Sequence, residues 1–330
     1  TAGWIAEQKN TLSQVFFAAT LLFWLRFDQQ RRGRDYAVAL LLFALGLLSK
    51  ISGAPLALVL LILTWWRHGS IGRRDVRAAV PFVLVAIVLG TVGLYFQSQH
   101  LVMDMVVRPE GFASRLAAAG WALWFYLFKV VWPSPLLMGY PRWIVSPHLP
   151  WVYLPGIAWL LMLGGAWRYR AAWGRPIFMA LGIFTLVLAP VLGFIDQYYH
   201  QYSLVADHWQ YLALPAAVAL VVAGGCRLVH NTAVRVAAIA IVVIMLTTLT
   251  HHRMGAFHDG WSLWKNELKH YPDSWWAHQS LGMMLITRKQ PTQGMAHLKR
   301  SLDLNPLVSK THRNYGWALW DYSGPSETSQ

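Results

Sequence analysis

For its first 250 residues the chain alternates long apolar stretches with short polar ones, and then the pattern changes. Apolar segments lie at about 11–27, 36–50, 53–66, 78–96, 117–132, 151–167, 176–195, 210–225 and 233–250. A membrane-crossing helix needs roughly 20 apolar residues. Helices are the expected form, because backbone amides in lipid have only each other as partners. The run at 117–132 departs from the rest. It carries Lys129 and stops at Trp132-Pro133, so it reads as a re-entrant or interfacial segment.

Loop charge supplies an orientation. Arg26, Arg31, Arg32 and Arg34 follow the first run, and Arg67, Arg73, Arg74 and Arg77 follow the third. Arg168, Arg170 and Arg175 follow the sixth, Arg227 and Arg235 flank the loop after the eighth, and 196–206 holds no Lys or Arg. Positive loops stay in the cytoplasm. Nine crossings would put the loops at Arg77 and Arg168 on opposite sides. With 117–132 left out, eight crossings put all four Arg-rich loops inside, and leave Arg108 and Arg115 on the outer side. Residues 1–10, 97–150, 196–209 and 251–330 then share the outer side.

Past His251 the chain turns polar, first in a linker over 251–272 and then in a segment with a 34-residue beat. Gly282 and Gly316 are 34 positions apart, preceded by Leu281 and Tyr315 and followed by Leu285 and Leu319. That period is the tetratricopeptide repeat, a helical hairpin that binds other chains. Trp275 to Pro306 reads as one full repeat, with Leu281, Gly282, Leu285, Leu298, Leu302 and Pro306 at packing positions. Lys289 and Gly294 stand where such a repeat usually has Gly and Ala, and Ser301 where it has Ala. On helix propensity alone, Gly294 weakens its helix by roughly 1 kcal/mol. The fold class is therefore all-α: a polytopic helical membrane domain over 1–250, the linker, and repeats over 273–330, one full and one partial.

Composition narrows the classes. Charged residues make up 13% of the chain, well below the quarter usual in soluble domains. The net charge of +14 sits mostly in the short Arg loops, and no basic helix or aromatic RNA-binding motif accompanies it, so nucleic acid is not the expected partner. A single cysteine, Cys226, rules out an intrachain disulfide. His251, His252 and His258 cluster loosely but lack the ligand pattern of a zinc site, and no metal is expected to be held by the chain alone. No phosphate-cradling Gly-Lys-Ser/Thr loop or Gly-x-Ser-x-Gly elbow occurs.

Several stretches, in order, resemble bacterial relatives of the transmembrane and tetratricopeptide-repeat O-mannosyltransferases, polytopic glycosyltransferases of the GT-C class. They are Trp4-Ile5-Ala6-Glu7-Gln8-Lys9-Asn10-Thr11-Leu12-Ser13, Gly46-Leu47-Leu48-Ser49-Lys50, Lys129-Val130-Val131-Trp132-Pro133 with Tyr140-Pro141, and Val205-Ala206-Asp207-His208-Trp209-Gln210-Tyr211-Leu212. His208-Trp209 stand where the family more often has Arg-Tyr. The resemblance implies transfer of a sugar from a polyprenyl-phosphate donor, within a bacterial inner membrane, to a protein or glycan acceptor on the outer face, where the repeats would hold it. It also implies a catalytic Asp or Glu in the first outward loop, upstream of Thr1. The chain is accordingly read as a fragment truncated at both ends.

The candidate catalytic residues are Asp207 and His208. Asp207 suits an acceptor hydroxyl or a divalent ion, and His208 a phosphate contact or a proton shuttle. The bland alternative makes Asp207 a helix N-cap. Glu7, Lys9, Lys50, Lys129, Tyr140 and Tyr211 are the candidate donor and substrate contacts, with the lysines aimed at a lipid phosphate. Glu7, Lys9 and Asn10 also read as solvated residues ahead of a helix with Asn10 as its cap, and the lysines as interface anchors. Arg108 and Arg115 read either as phosphate partners or as solvated loop charges. Rival functions are a non-enzymatic membrane anchor displaying a repeat scaffold, a cell-surface glycan ligase or polymerase, and a transporter.

Overall fold

A computed structural model describes residues 8–97, 99 and 108–323, all helix and loop, with no strand among the described residues. The chain divides into two compact units. The first comprises residues 1–133 and 142–232, and the second residues 134–141 and 233–330.

The first unit holds α1 (Gln8–Gln30), α2 (Gly33–Ser49), α3 (Leu56–His68), α4 (Arg73–Gln97), α5 (Phe112–Val131), α6 (Leu154–Arg168), α7 (Gly174–Leu188) and α8 (Leu214–Leu228). These follow the apolar runs closely. Arg31 stops α1 with φ 52, and only Arg32 separates it from α2, so the two helices pack antiparallel. The buried face of α1 is Asn10, Ser13, Phe17, Thr20, Trp24 and Asp28, a three-four spacing that keeps one stripe inward. Much of that stripe is polar, because lipid already solvates the apolar outer faces and helix contact in lipid comes from close packing and hydrogen bonds. The Trp24 indole accordingly donates to Thr64 Oγ1 at 3.3 Å, and Gly46 lets α2 approach Phe16.

Two ends of this unit are stapled by charge. At the α1 C-terminus, buried Asp28 accepts from Arg67 and His68, each at 2.8 Å, while Arg31 reaches both Asp28 and Asp75. Arg175 of α7 donates to the Trp65 carbonyl at 2.9 Å. Three of the Arg-rich loops therefore meet at one end. At the other, Ser49 donates to the Lys9 carbonyl and Lys50 Nζ to Asn10 Oδ1.

Helix α5 is tied to the segment 193–209 at two points. Arg115 in its first turn binds Asp196, and Tyr126 near its last turn accepts a hydrogen bond from the Ala206 amide at 3.1 Å. Both ends of α5 thus abut one segment, 193–209. Its middle meets the start of α6: Trp121 and Trp124 donate to the Val152 and Pro155 carbonyls, and Gly120 lies so close to Gly156 that a Cβ would stand 2.6 Å from the Gly156 nitrogen.

The second unit holds α9 (Thr232–Ala256), α10 (Gly260–His270), α11 (Trp275–Thr287), α12 (Pro291–Leu304) and α13 (Ser309–Ser323). The stretch 251–272, expected as a polar linker, is helical over most of its length. Asp259 caps α10 by accepting from the Ser262 amide, and Trp264 packs edge-on against Trp276. Helices α11 and α12 form a tight hairpin at Gly282 and Gly294, and Ile286, Leu298 and Ala318 make a core that includes α13. The expectation that Gly294 only weakens its helix needs correcting. A Cβ there would stand 2.6 Å from Ile286 Cγ1 and 2.8 Å from the Gly282 carbonyl oxygen. The Ser301 hydroxyl, where Ala was expected, donates to the Trp275 carbonyl at 2.8 Å.

Ile51–His68, Arg73–Phe96, Gly174–Val191 and Thr232–Ala256 are helices long and apolar enough to cross a membrane. The chain is an all-α polytopic protein.

Candidate functional site

The C-terminal end of α2 and the N-terminal end of α1 place the first cations. The Lys50 backbone is extended and closes α2 through its amide, which donates to the Gly46 carbonyl. Its ammonium is thereby turned toward α1 and donates to Asn10 Oδ1. Asn10 is not a cap ahead of the helix. It sits within the first turn of α1, is buried, and serves as the lysine's partner. Lys9 beside it is exposed, with its carbonyl tied to Ser49. Glu7 lies outside the described residues.

Asp207 and His208 form a short 3-10 turn with Trp209, led in by the extended Ala206. Helix α8 begins only at Leu214, so Asp207 does not cap it, and no side chain caps the 3-10 turn. The turn is held from below by Tyr126, whose hydroxyl accepts from the Ala206 amide. Beside it is an aromatic wall, with Tyr199 edge-on to both His208 (5.6 Å) and Trp209 (5.2 Å). Burial pushes the His208 pKa down to about 3, with the charges of Lys50 and Lys9 adding to the effect. The imidazole is therefore neutral at pH 7 when no anion lies beside it. Lys129, near the end of α5, is 5% exposed and feels the Asp207 charge.

Five residues singled out in separate stretches thus meet electrostatically in the first unit. Lys9 and Lys50 act on His208, and Asp207 acts on Lys129. Tyr211 follows in the turn after Trp209 and is half-buried. Tyr140 falls in the second unit, where its hydroxyl donates to the Pro135 carbonyl at 3.3 Å. Asn10 as a lysine partner and Tyr126 as the support of the turn went unseen in the sequence. An Asn at the start of an apolar run, 40 residues before Lys50, is the sequence signal for the first.

Arg108 and Arg115 are not solvated loop charges. Arg108 is 6% exposed and donates to Glu110 and the Gly193 carbonyl, while Arg115 holds Asp196 at 2.6 and 3.2 Å. Burial alone would raise the Glu110 pKa, but its own amide, Arg142 and Arg108 together hold it low. His200, buried beside this network, is pushed down to about 4, chiefly by burial and then by Arg108. Among the described residues no group of three or more His, Cys, Asp or Glu is placed to hold a metal ion.

The fold and this cluster define a polytopic helical membrane protein with lysines, a carboxylate and a neutral histidine gathered from distant parts of the chain. Residues 2–96 match the model of the dolichyl-phosphate-mannose-protein mannosyltransferase family, so that part of the chain is similar to a membrane glycosyltransferase of the GT-C type. The matched stretch includes Lys9, Asn10 and Lys50 and stops short of Lys129, Asp207 and His208. No curated protein and no solved structure matches the chain.

Proposed function

We propose that the protein is a GT-C-type glycosyltransferase that moves a sugar from a polyprenyl-phosphate donor to an acceptor hydroxyl on the outer face of a bacterial inner membrane. The observation that carries the reading is the convergence of Lys9, Lys50, Lys129, Asp207 and His208, three of which lie outside the family-matched stretch. Among the described residues the cluster brings three lysines to one carboxylate, and ionisable groups at a membrane edge mark substrate sites, for which a lipid phosphate is the matching anion. The lysines hold the phosphate. Asp207, rather than the upstream carboxylate that the resemblance implies, binds the acceptor hydroxyl and takes its proton as the oxygen attacks the anomeric carbon. The bond from that carbon to the phosphate oxygen breaks, and the electron pair leaves on the lipid phosphate. Attack opposite the leaving group inverts the anomeric centre. The neutral His208 and the Tyr199 ring border the sugar, and Tyr211 is assigned to the same donor pocket.

In this reading α5 is the segment that does not cross, since both its ends abut 193–209, and α1–α4 and α6–α9 are the eight crossings. The meeting of three Arg-rich loops at one end supports that end as cytoplasmic. Residues 134–141 and α10 touch within one unit and so share a compartment, which supports placing the tail with the long loops outside. The α11–α12 hairpin and α13 are read as tetratricopeptide repeats that engage the protein or glycan acceptor.

The test is transfer from a polyprenyl-phosphate sugar in proteoliposomes. Asp207→Asn should lower kcat by at least a hundredfold, in the range of general-base loss, and Lys50→Met should raise the donor KM. Wild-type rates from Asp207→Asn and His208→Ala together would overturn the reading.

A further inference from the structure

A carboxylate that the function above does not use is among the most buried groups in the protein. Glu267 of α10 is 1% exposed, and its two oxygens accept from the consecutive amides of Met138 (2.9 Å) and Gly139 (3.0 Å). An unpaired buried carboxylate is strongly disfavoured, and charge-assisted bonds from two amides help to stabilise this one. The segment that supplies them is shaped for the task. Prolines at 133, 135 and 141 restrict it, and Tyr140 closes it by donating to the Pro135 carbonyl. At Gly139 a Cβ would stand 3.5 Å from the Trp276 ring, so the backbone lies directly on the tail. Trp276 belongs to α11 and packs on Trp264 of α10. By sequence this segment connects Lys129 to Arg142, yet by packing it belongs to the tail.

We propose that Glu267 is a positioning residue that makes 134–141 an extension of the helical tail, so that the fold of the α11–α12 hairpin and the conformation of the Lys129–Arg142 connection are thermodynamically linked. Anything that binds or loosens the hairpin then acts on the loop, and the loop acts back on the hairpin by the same free energy. This stands whether or not the chain transfers a sugar.

The test is hydrogen exchange on the full chain in nanodiscs. In the native protein the Met138 and Gly139 amides should be protected like those of α10. Glu267→Gln replaces one acceptor oxygen with a donor facing an amide, and should speed exchange at 138–139 at least tenfold, with a smaller rise in α11 and α12 that reports the link. Glu267→Asp keeps the charge and should retain more protection than Gln; equal loss in both would overturn the proposal. Should Glu267→Gln fail to fold, Gly139→Pro removes one donor from the loop side and should speed exchange in α10, and no change there would overturn it. The linkage itself is read with Gly294→Ala, which loosens the hairpin without touching the loop. Faster exchange at 138–139 in that variant supports the link. A loop that stays protected while the hairpin opens would sink it.

Discussion

Gly294→Ala sets two physical effects against each other, and the geometry decides the sign. Helix propensity alone favours Ala by roughly 1 kcal/mol. Packing opposes it. The new Cβ would stand 2.6 Å from Ile286 Cγ1, 2.8 Å from the Gly282 carbonyl oxygen and 3.1 Å from the Ile286 nitrogen. Two of those three atoms are backbone and cannot swing aside, so α11 and α12 must separate. Overpacking of this kind costs about 3 kcal/mol at the upper end of its usual range. The difference leaves a net loss of about 2 kcal/mol, which is about a thirtyfold rise in the population of the opened hairpin at 1.4 kcal/mol per decade. Native-state hydrogen exchange of the α11 and α12 amides in the full protein measures it. Gly316→Ala is the internal control. It lies one 34-residue period from Gly282, but a Cβ there meets nothing within 4 Å. Ala at 316 should therefore slow exchange in α13, by up to about 1 kcal/mol of propensity. Equal signs for the two substitutions, or slower exchange in Gly294→Ala, would refute the close-crossing argument.

Lys289 ends α11 in the left-handed region with φ 58, where a side chain costs roughly 1 kcal/mol that Gly avoids; Lys289→Gly should raise the denaturant midpoint of the tail measured by pulse proteolysis. His278 and His297 share a hydrogen bond between their Nδ1 atoms at 2.9 Å, with Asp273 and Arg300 the charged groups beside them. Burial lowers both pKa values, so the unfolded chain binds protons more readily than the hairpin does. The contribution is complete above the unfolded value of about 6.5 and is lost as pH falls through it. Pulse proteolysis at pH 7.5 and 5.5 should show a weaker tail at the lower pH, and His278→Gln with His297→Gln should flatten the difference.

The helices were legible because their cause is local. An unbroken apolar run of helical length has one stable form in lipid, and α1 to α9 follow those runs. What could not be read was long-range pairing. Nothing near Glu267 in sequence announces that it will meet Met138, and nothing near Arg108 shows that it will reach the Gly193 carbonyl. Propensity misjudged Gly294 because the deciding atoms belong to another helix. Polarity predicts a linker over 251–272, although Asp259 followed by Trp261 and Trp264 is the pattern of a capped helix with one apolar face. At the site, residue types point to Lys50 and Asp207, but Asp207 is no cap for α8, which begins seven residues later at Leu214.

The neutral state of His208 sharpens the charge argument for the site. Were the imidazole protonated, it would join Lys9 and Lys50 as a third like charge on the same small region, and burial would make each repulsion more costly. The protein avoids this by leaving the proton off, with the pKa near 3. An anion placed between the lysines should reverse the balance, since a negative charge favours the protonated ring. A lipid phosphate bound at Lys50 should therefore raise the His208 pKa toward its ordinary value of about 6.5. Labelling histidine with carbon-13 and titrating the ring shift with and without polyprenyl phosphate measures this directly. A His208 resonance whose titration ignores the lipid would mean that the phosphate binds elsewhere, and the lysines at the ends of α1 and α2 would then be membrane anchors alone.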